Sequence, residues 1–124
     1  MDALKKIGAI ALTVGVMDAG WLTFQHKYHQ SLFKAVQGSP LTVRWGPALL
    51  IYALIPTAIY LYAEGKTMED AVTKGALLGL VLYAFYDLTN YATLEGWTLQ
   101  MTITDILWGV LVCSAGAAVG HLFH

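Results

Sequence analysis

The chain contains four apolar stretches, each of which is long enough to cross a lipid bilayer as an α-helix. They cover about residues 4–24, 44–63, 71–91 and 99–123. About 20 apolar residues, each rising 1.5 Å, span the roughly 30 Å hydrocarbon core. Because lipid offers no hydrogen bonds to the backbone, such stretches have to form helices that pair their own N–H and C=O groups. The sequence therefore predicts an all-α integral membrane protein built as a four-helix bundle.

The composition agrees with a membrane environment. Of the 124 residues 57% are hydrophobic and 12% are charged, whereas about 25% are charged in a typical soluble domain. The net charge of −1 gives no basic surface of the kind that binds nucleic acid. We expect residues 1–124 to form a single transmembrane domain whose partners are membrane lipids and not nucleic acid.

The connection between the first two stretches predicts a short helix over residues 26–37. It has an apolar and a polar face at helical spacing: Tyr28, Leu32, Phe33 and Val36 on one side, and His26, Lys27, Gln30, Lys34 and Gln37 on the other. This pattern is typical of a helix that lies on the membrane surface. Gly38 and Pro40 predict its end. His26 and His29 have a spacing that permits two metal ligands, but without further ligands we expect solvated histidines.

The distribution of cations between the two membrane faces favours one orientation. One face holds Lys5, Lys6, Lys66 and Lys74, and the other holds Lys27, Lys34 and Arg44. Cytoplasmic loops carry the excess of Lys and Arg. The excess of one cation predicts a cytoplasmic N-terminus, in a plasma membrane or a bacterial inner membrane.

Three aspartates, Asp18, Asp87 and Asp105, interrupt the apolar stretches. An ionisable group inside a membrane helix costs roughly 2.5–3.5 kcal/mol on insertion scales, so it is rarely accidental. Asp18 and Asp87 precede the ends of their stretches, while Asp105 follows the start of a stretch that runs in the opposite direction. At 1.5 Å per residue, all three fall roughly 6–9 Å below the same membrane face. The sequence therefore predicts that they form one site.

Residues at spacings of three and four share a helix face with each aspartate: Gly8, Ala11 and Gly15 with Asp18; Ala76, Leu80, Tyr83 and Ala84 with Asp87; and Gly109, Val112 and Gly116 with Asp105. Small residues let helix backbones approach closely. We therefore expect these faces to be helix–helix interfaces that turn the aspartates inward. A further small-residue pair, Gly75 and Gly79, lies near the face of the third stretch.

Three carboxylates this close together cannot all remain charged, so a proton, a cation, water or Arg44 has to compensate them. We expect Asn90, Thr89 and Thr102 to donate hydrogen bonds to the carboxylates that stay ionised. Trp21 and Trp108 follow Asp18 and Asp105 in a repeated D-x-x-W spacing. Their rings can form cation–π walls around a bound ligand.

Three kinds of function fit this site. The first is binding of a cation or small cationic ligand, coupled to protons in a transporter that forms a homodimer. The second is a membrane enzyme that acts on a lipid or isoprenoid-like substrate with paired aspartates as acid and base. The third is a structural subunit of a larger membrane complex, in which the aspartates form a buried polar knot that fixes helix register. The sequence does not identify a cofactor, and the question of one stays open.

Several segments together resemble a known family: Met17-Asp18-Ala19-Gly20-Trp21-Leu22, Tyr86-Asp87-Leu88-Thr89-Asn90-Tyr91-Ala92-Thr93-Leu94, Gly96-Trp97 and Thr104-Asp105-Ile106-Leu107-Trp108-Gly109. The chain resembles, over nearly its whole length, the small predicted membrane proteins of domain of unknown function 2177. Glu95 and Thr98 stand where a basic residue and a proline are expected. The resemblance implies a four-helix membrane protein and brings no established activity.

Overall fold

A computed structural model describes residues 2–123, which form five α-helices and no strand. The helices are α1 (Asp2–Phe24), α2 (His26–Gln37), α3 (Trp45–Tyr62), α4 (Met68–Thr93) and α5 (Leu99–Leu122). Among the described residues, α1, α3, α4 and α5 are long and apolar enough to cross a membrane. The predictions of an all-α fold and of four apolar helices are therefore confirmed. Each long helix begins and ends within three residues of its predicted stretch.

Local sequence explains where the helices begin and end. The side chains of Thr67 and Thr98 accept hydrogen bonds of 3.0 Å from the N–H groups of Asp70 and Met101, which caps α4 and α5 at their N-termini. Gly38 ends α2 with φ of +76°, and its N–H donates to the carbonyl of Lys34. Glycine adopts this left-handed conformation at little cost in free energy, because it has no Cβ atom.

The closest helix pair is the antiparallel hairpin of α4 and α5, in which glycines bring the two backbones together. A Cβ atom at Gly79 would lie 2.3 Å from the carbonyl oxygen of Gly109, and one at Gly75 would lie 2.6 Å from the Cβ of Ala117. The ring of Tyr83 lies directly against Gly109. No side chain larger than hydrogen fits at Gly75 or Gly79 without a shift of the backbone, and none fits at Gly109 unless the ring of Tyr83 moves.

This hairpin corrects the predicted interface of α4. Leu80, which was expected on the packed face, is 43% exposed, and the expected neighbours Ala76 and Ala84 are only partly buried. The buried face instead carries Gly75 and Gly79. The physical reason is that two glycines one turn apart allow a closer backbone approach than alanine and leucine do.

α1 packs against the other helices through its large residues. The prediction that its glycine face forms a helix–helix interface was wrong. Ile10 and Val14 are buried against α5, where a Cβ atom at Gly116 would lie 3.3 Å and 3.4 Å from them. By contrast, Cβ atoms at Gly8 and Gly15 would meet nothing within 4 Å. α5 supplies the glycine groove and α1 supplies the side chains that fill it. The predicted face of α5, with Gly109, Val112 and Gly116, is buried as expected.

α2 covers the end of the bundle at which α4 and α5 are joined. Leu32 packs with Trp97 in that link and with Met101 on α5. The hydroxyls of Tyr28 and Thr98 are hydrogen-bonded to each other. The apolar face of α2 therefore contacts protein. The helix is present at the residues predicted for it, and its position at the membrane surface stays a prediction.

The opposite end is held by an ion pair between α1 and the residues after α3. The ammonium of Lys6 donates to the Oε1 of Glu64 at 2.5 Å, and it lies 5.8 Å from the centre of the Tyr60 ring. Lys6 is buried although it is charged. A buried charge requires such a partner, so the pair fixes the start of α1 against α3.

Gly79→Ala should destabilise the protein by about 1–3 kcal/mol, because the added methyl group meets the backbone of Gly109 and forces the helices apart. The matched control is Gly8→Ala, which adds the same methyl group to open space and should cause no loss of stability. Unfolding of the detergent-solubilised protein by a denaturing detergent measures both. Equal stability of the two variants would contradict the α4–α5 packing described above.

Candidate functional site

Asp18 is a half-buried carboxyl that receives two hydrogen bonds from other helices. The hydroxyl of Tyr52 on α3 donates to Oδ2 at 2.9 Å, and the Nε1–H of Trp108 on α5 donates to Oδ1 at 2.7 Å. Both oxygens therefore have a donor. The bonds tie α1, α3 and α5 together at one depth.

The positions of these residues in their helices explain the contact. Asp18 lies about six residues before the end of α1, and Tyr52 lies about seven residues after the start of α3, so both fall roughly 9–11 Å from the same end. The backbone of Trp108 lies farther from this end of the bundle, because it is more than two turns into α5. Helical side chains tilt towards the N-terminus, and the N-terminus of α5 is at this end, so the indole reaches back to Asp18.

Asp87 is the most deeply buried polar side chain described. It is 0% exposed, and neither of its carboxyl oxygens receives a hydrogen bond from an N–H or O–H group in residues 2–123. The neighbouring hydrogen-bonding group is a second carboxyl, that of Asp105 on α5. Two carboxylates offer only acceptors, whereas a carboxylic acid offers a donor. A proton held between the two groups would therefore satisfy both.

Asp105 links this pair to Asp18. Its carboxyl lies within electrostatic range of Asp18 as well as of Asp87. The structure thus brings the three aspartates of α1, α4 and α5 to one end of the bundle. Their environments differ, because Asp18 is supplied with donors and Asp87 is not.

Trp21 and Trp108 form a stacked pair beside Asp18. Their ring centroids are 4.7 Å apart and their planes differ by 7°. Each ring covers one face of the other, so each keeps a single face for another contact. A hydrogen bond joins the two D-x-x-W segments here, because Trp108 of the second segment donates to Asp18 of the first. No reciprocal bond is made, since Trp21 Nε1 has no acceptor among the described residues.

An open groove of about 230 Å³ lies on the outer surface beside this pair. It is lined by Trp21, Thr104, Leu107, Trp108 and Leu111. The lining is almost entirely apolar, and the exposed Leu107 and Leu111 belong to the surface of a candidate membrane span. The groove therefore opens sideways from the bundle, and not along its axis.

Four predicted site residues do not contact the carboxyls. Thr102 donates its hydroxyl to the carbonyl of Thr98 at 2.9 Å, as helical threonines commonly do. Thr89 is exposed, and Asn90 lies beside the hydroxyl of Tyr86. Arg44 is exposed at the start of α3 and takes part in no ion pair in residues 2–123. Among residues 2–123, neither threonine donates a hydrogen bond to the carboxyls and Arg44 forms no ion pair with them.

His29 is a site residue that the sequence interpretation missed. It is only 8% exposed on α2, and its electrostatic neighbours are Asp105 and His26. Burial lowers the pKa of His29, because the charged imidazolium loses hydration, while the charge of Asp105 acts in the opposite direction. The expectation of two solvated histidines holds for the exposed His26 alone. Position 29 shares its helix face with Leu32 and Val36, and this spacing was the available signal.

The site has few groups that could ligate a metal ion. In the part of the chain that the structure describes, no three His, Cys, Asp or Glu side chains are arranged to hold a metal ion. The arrangement offers instead a two-carboxyl centre at Asp87 and Asp105, a hydrogen-bonded carboxyl at Asp18, and an aromatic pair facing an apolar groove.

Four apolar helices around a buried acidic centre define a multi-pass α-helical membrane protein. The model of the family described as "predicted membrane protein", domain of unknown function 2177, matches residues 3–122. The chain belongs to this family, which confirms the resemblance found in the sequence. No curated protein and no solved structure gives a significant match.

Tyr52→Phe should lower the free energy of unfolding by roughly 0.6–2 kcal/mol, because it removes one of the two donors to the Asp18 carboxyl. Tyr62→Phe removes the same hydroxyl from an exposed tyrosine of the same helix and serves as the control. Unfolding in detergent compares the two. The interpretation of Asp18 is wrong if Tyr62→Phe costs as much as Tyr52→Phe.

Acidification should lower the free energy of unfolding, because His29 is buried in its neutral form. Its pKa in the folded protein is lowered, so the unfolded chain binds more protons, and stability falls as the pH drops through the unfolded value of about 6.5. His29→Gln should therefore lose less stability than the wild type between about pH 7.5 and pH 5.5. The difference between the two proteins separates His29 from the other titrating groups. An equal loss of stability in both proteins over this pH range would contradict the role given to His29.

Proposed function

We propose that this membrane protein binds a proton reversibly between Asp87 and Asp105 and exchanges it for a cation or small cationic ligand, as in proton-coupled transport. The observation that carries the proposal is the Asp87 carboxyl, which is fully buried, has no N–H or O–H donor among the described residues, and lies beside a second carboxyl. A polar group in this situation is costly unless something satisfies it. Intramembrane carboxyls of this kind mark ion pathways and proton relays.

The geometry supports a proton as the resident cation. A proton is satisfied by two oxygens, whereas Mg²⁺ requires about six ligands and Ca²⁺ about six to eight. Asp87 and Asp105 supply two carboxyls, and both oxygens of Asp18 already accept hydrogen bonds. Asp18 therefore acts on a cation at this site mainly through the electric field of its negative charge, and not as a direct ligand.

Exchange follows from the cost of leaving the pair empty. When the proton leaves, two negative charges face each other inside the bundle, and this state is expensive unless another cation approaches. Release of the proton then favours binding of the cation, and binding of the cation favours release of the proton. The two ligands are linked by a coupling free energy. The field of Asp18 strengthens this coupling, since it lies within range of Asp105.

The aromatic pair indicates what the cationic ligand would look like. The outer face of the Trp21–Trp108 pair lines the apolar groove, and Trp108 is hydrogen-bonded to Asp18. Indole faces attract organic cations. A cation with an apolar body, such as a substituted ammonium or phosphonium, would place its charge near the rings and its body along Leu107 and Leu111.

The same groove favours a second candidate, a membrane enzyme that acts on a lipid or isoprenoid-like substrate. Such an enzyme needs an opening towards lipid, and the groove faces that way. Its chemistry would use Asp87 and Asp105 as acid and base. The third candidate, a structural subunit, calls for aspartates that are satisfied by internal partners. Asp18 meets this condition, whereas Asp87 meets it only while a proton is held between it and Asp105.

The transport form of the proposal includes a homodimer, because four helices make a thin bundle for a sealed pathway. It also places the N-terminus in the cytoplasm, in a plasma membrane or a bacterial inner membrane, from the excess of Lys and Arg at that face.

The proposal is tested by following the carboxyl proton directly. Infrared difference spectra of the wild type between low and high pH should contain a C=O band of a buried carboxylic acid, and Asp87→Asn should remove it. Asp70→Asn is the control, because Asp70 is an acid of the same helix whose side chain is 42% exposed. A band that persists unchanged in Asp87→Asn overturns the proton site.

A second measurement separates cation exchange from proton binding alone. Addition of tetraphenylphosphonium to the unbuffered wild-type protein should release protons, and Asp87→Asn should release none. Trp108→Phe should weaken the binding of tetraphenylphosphonium while leaving the infrared band in place. If the wild type binds this cation without releasing protons, the coupling is refuted.

A further inference from the structure

The outer face of α2 carries a groove that neither the acidic site nor the packing of the bundle uses. Its open volume is about 310 Å³, near the lower end of the range for small-ligand sites. It is lined by His26, Lys27, Gln30, Ser31, Lys34 and Pro40. The opposite face of α2 packs against Trp97 and Met101, so this face points away from the bundle.

Every polar side chain in the groove can donate a hydrogen bond, and none is acidic. Neither Lys27 nor Lys34 takes part in an ion pair in residues 2–123. No Asp or Glu occurs between residues 19 and 63, so no acid of the same segment neutralises them. The groove is therefore complementary to an anion.

The start of α2 adds to this positive character. Gln25 precedes the helix without a side-chain hydrogen bond to its N-terminus, and the first turn contains no acidic residue. The N-terminal end of a helix carries a partial positive charge and unpaired N–H groups. His26 and Lys27 of the groove belong to this turn.

The surroundings of the groove indicate where the anion comes from. Phe24 at the end of α1 is 81% exposed, and Trp45 at the start of α3 is 68% exposed. Both are the terminal residues of candidate membrane spans, where aromatic residues commonly meet the lipid headgroups. The cations of α2 follow Phe24 directly along the chain. The anion that a bilayer places at the ends of its spanning helices is the lipid phosphate.

We propose that the groove of α2 binds the phosphate of an anionic phospholipid headgroup. Lys27 and Lys34 approach the phosphate from the two ends of the groove, and Gln30 and Ser31 between them donate to its oxygens or to the headgroup. The proposal is independent of the exchange at Asp87, because the two sites share no residue.

The test measures lipid selectivity in the full-length protein. Native mass spectrometry in a neutral detergent counts bound phosphatidylglycerol and phosphatidylcholine with identical acyl chains. The wild type should prefer phosphatidylglycerol, and the double variant Lys27→Gln/Lys34→Gln should lose that preference by roughly fivefold per lysine removed. The matched control Lys5→Gln/Lys66→Gln removes two exposed lysines from the other end of the bundle and should keep it.

Three results would overturn the proposal. One is equal binding of the two lipids by the wild type. Another is an equal loss of preference in both double variants, which would assign the effect to net charge. The last is displacement of phosphatidylglycerol by inorganic phosphate at the same concentration, which would identify a site for free anions. The substituted lysines are exposed, and circular dichroism verifies that the variants keep their helices.

Discussion

The close backbone contact between α4 and α5 is the constraint on which the site depends. Gly79 lies against Gly109, and the next turn of α4 places the ring of Tyr83 against Gly109 as well. One further turn along α4, and one turn back along α5, brings Asp87 and Asp105 together. The glycines thus set both the register and the spacing of the hairpin. With larger residues at these positions, the two carboxyls would be held farther apart.

Two aspartates near the same end show how strongly the surroundings decide the role of one side chain. Asp18 receives bonds from Tyr52 and Trp108 and joins three helices. Asp87 has no such donors and is closed off from solvent. A satisfied carboxyl stabilises a single arrangement, whereas an unsatisfied one makes the arrangement depend on what binds to it.

The sequence was sufficient for the helices and for the common depth of the aspartates, because hydropathy and the rise per residue determine both. It was insufficient for the packed faces of α1 and α4. A glycine stripe such as that of Gly8 and Gly15 looks the same whether it receives a neighbouring side chain or faces lipid. The choice depends on which helix supplies the large residues, here Ile10 and Val14. His29 was missed for a related reason, since its burial comes from the docking of α2 onto the bundle.

The stacked tryptophans also make the site observable without a label. Two indole rings that lie parallel at 4.7 Å couple their electronic transitions, and the coupling depends steeply on their separation and angle. One of the rings is hydrogen-bonded to Asp18 and both border the groove. Circular dichroism of the unmodified chain therefore contains a contribution from this one place, and a rearrangement of α1 against α5 changes that contribution.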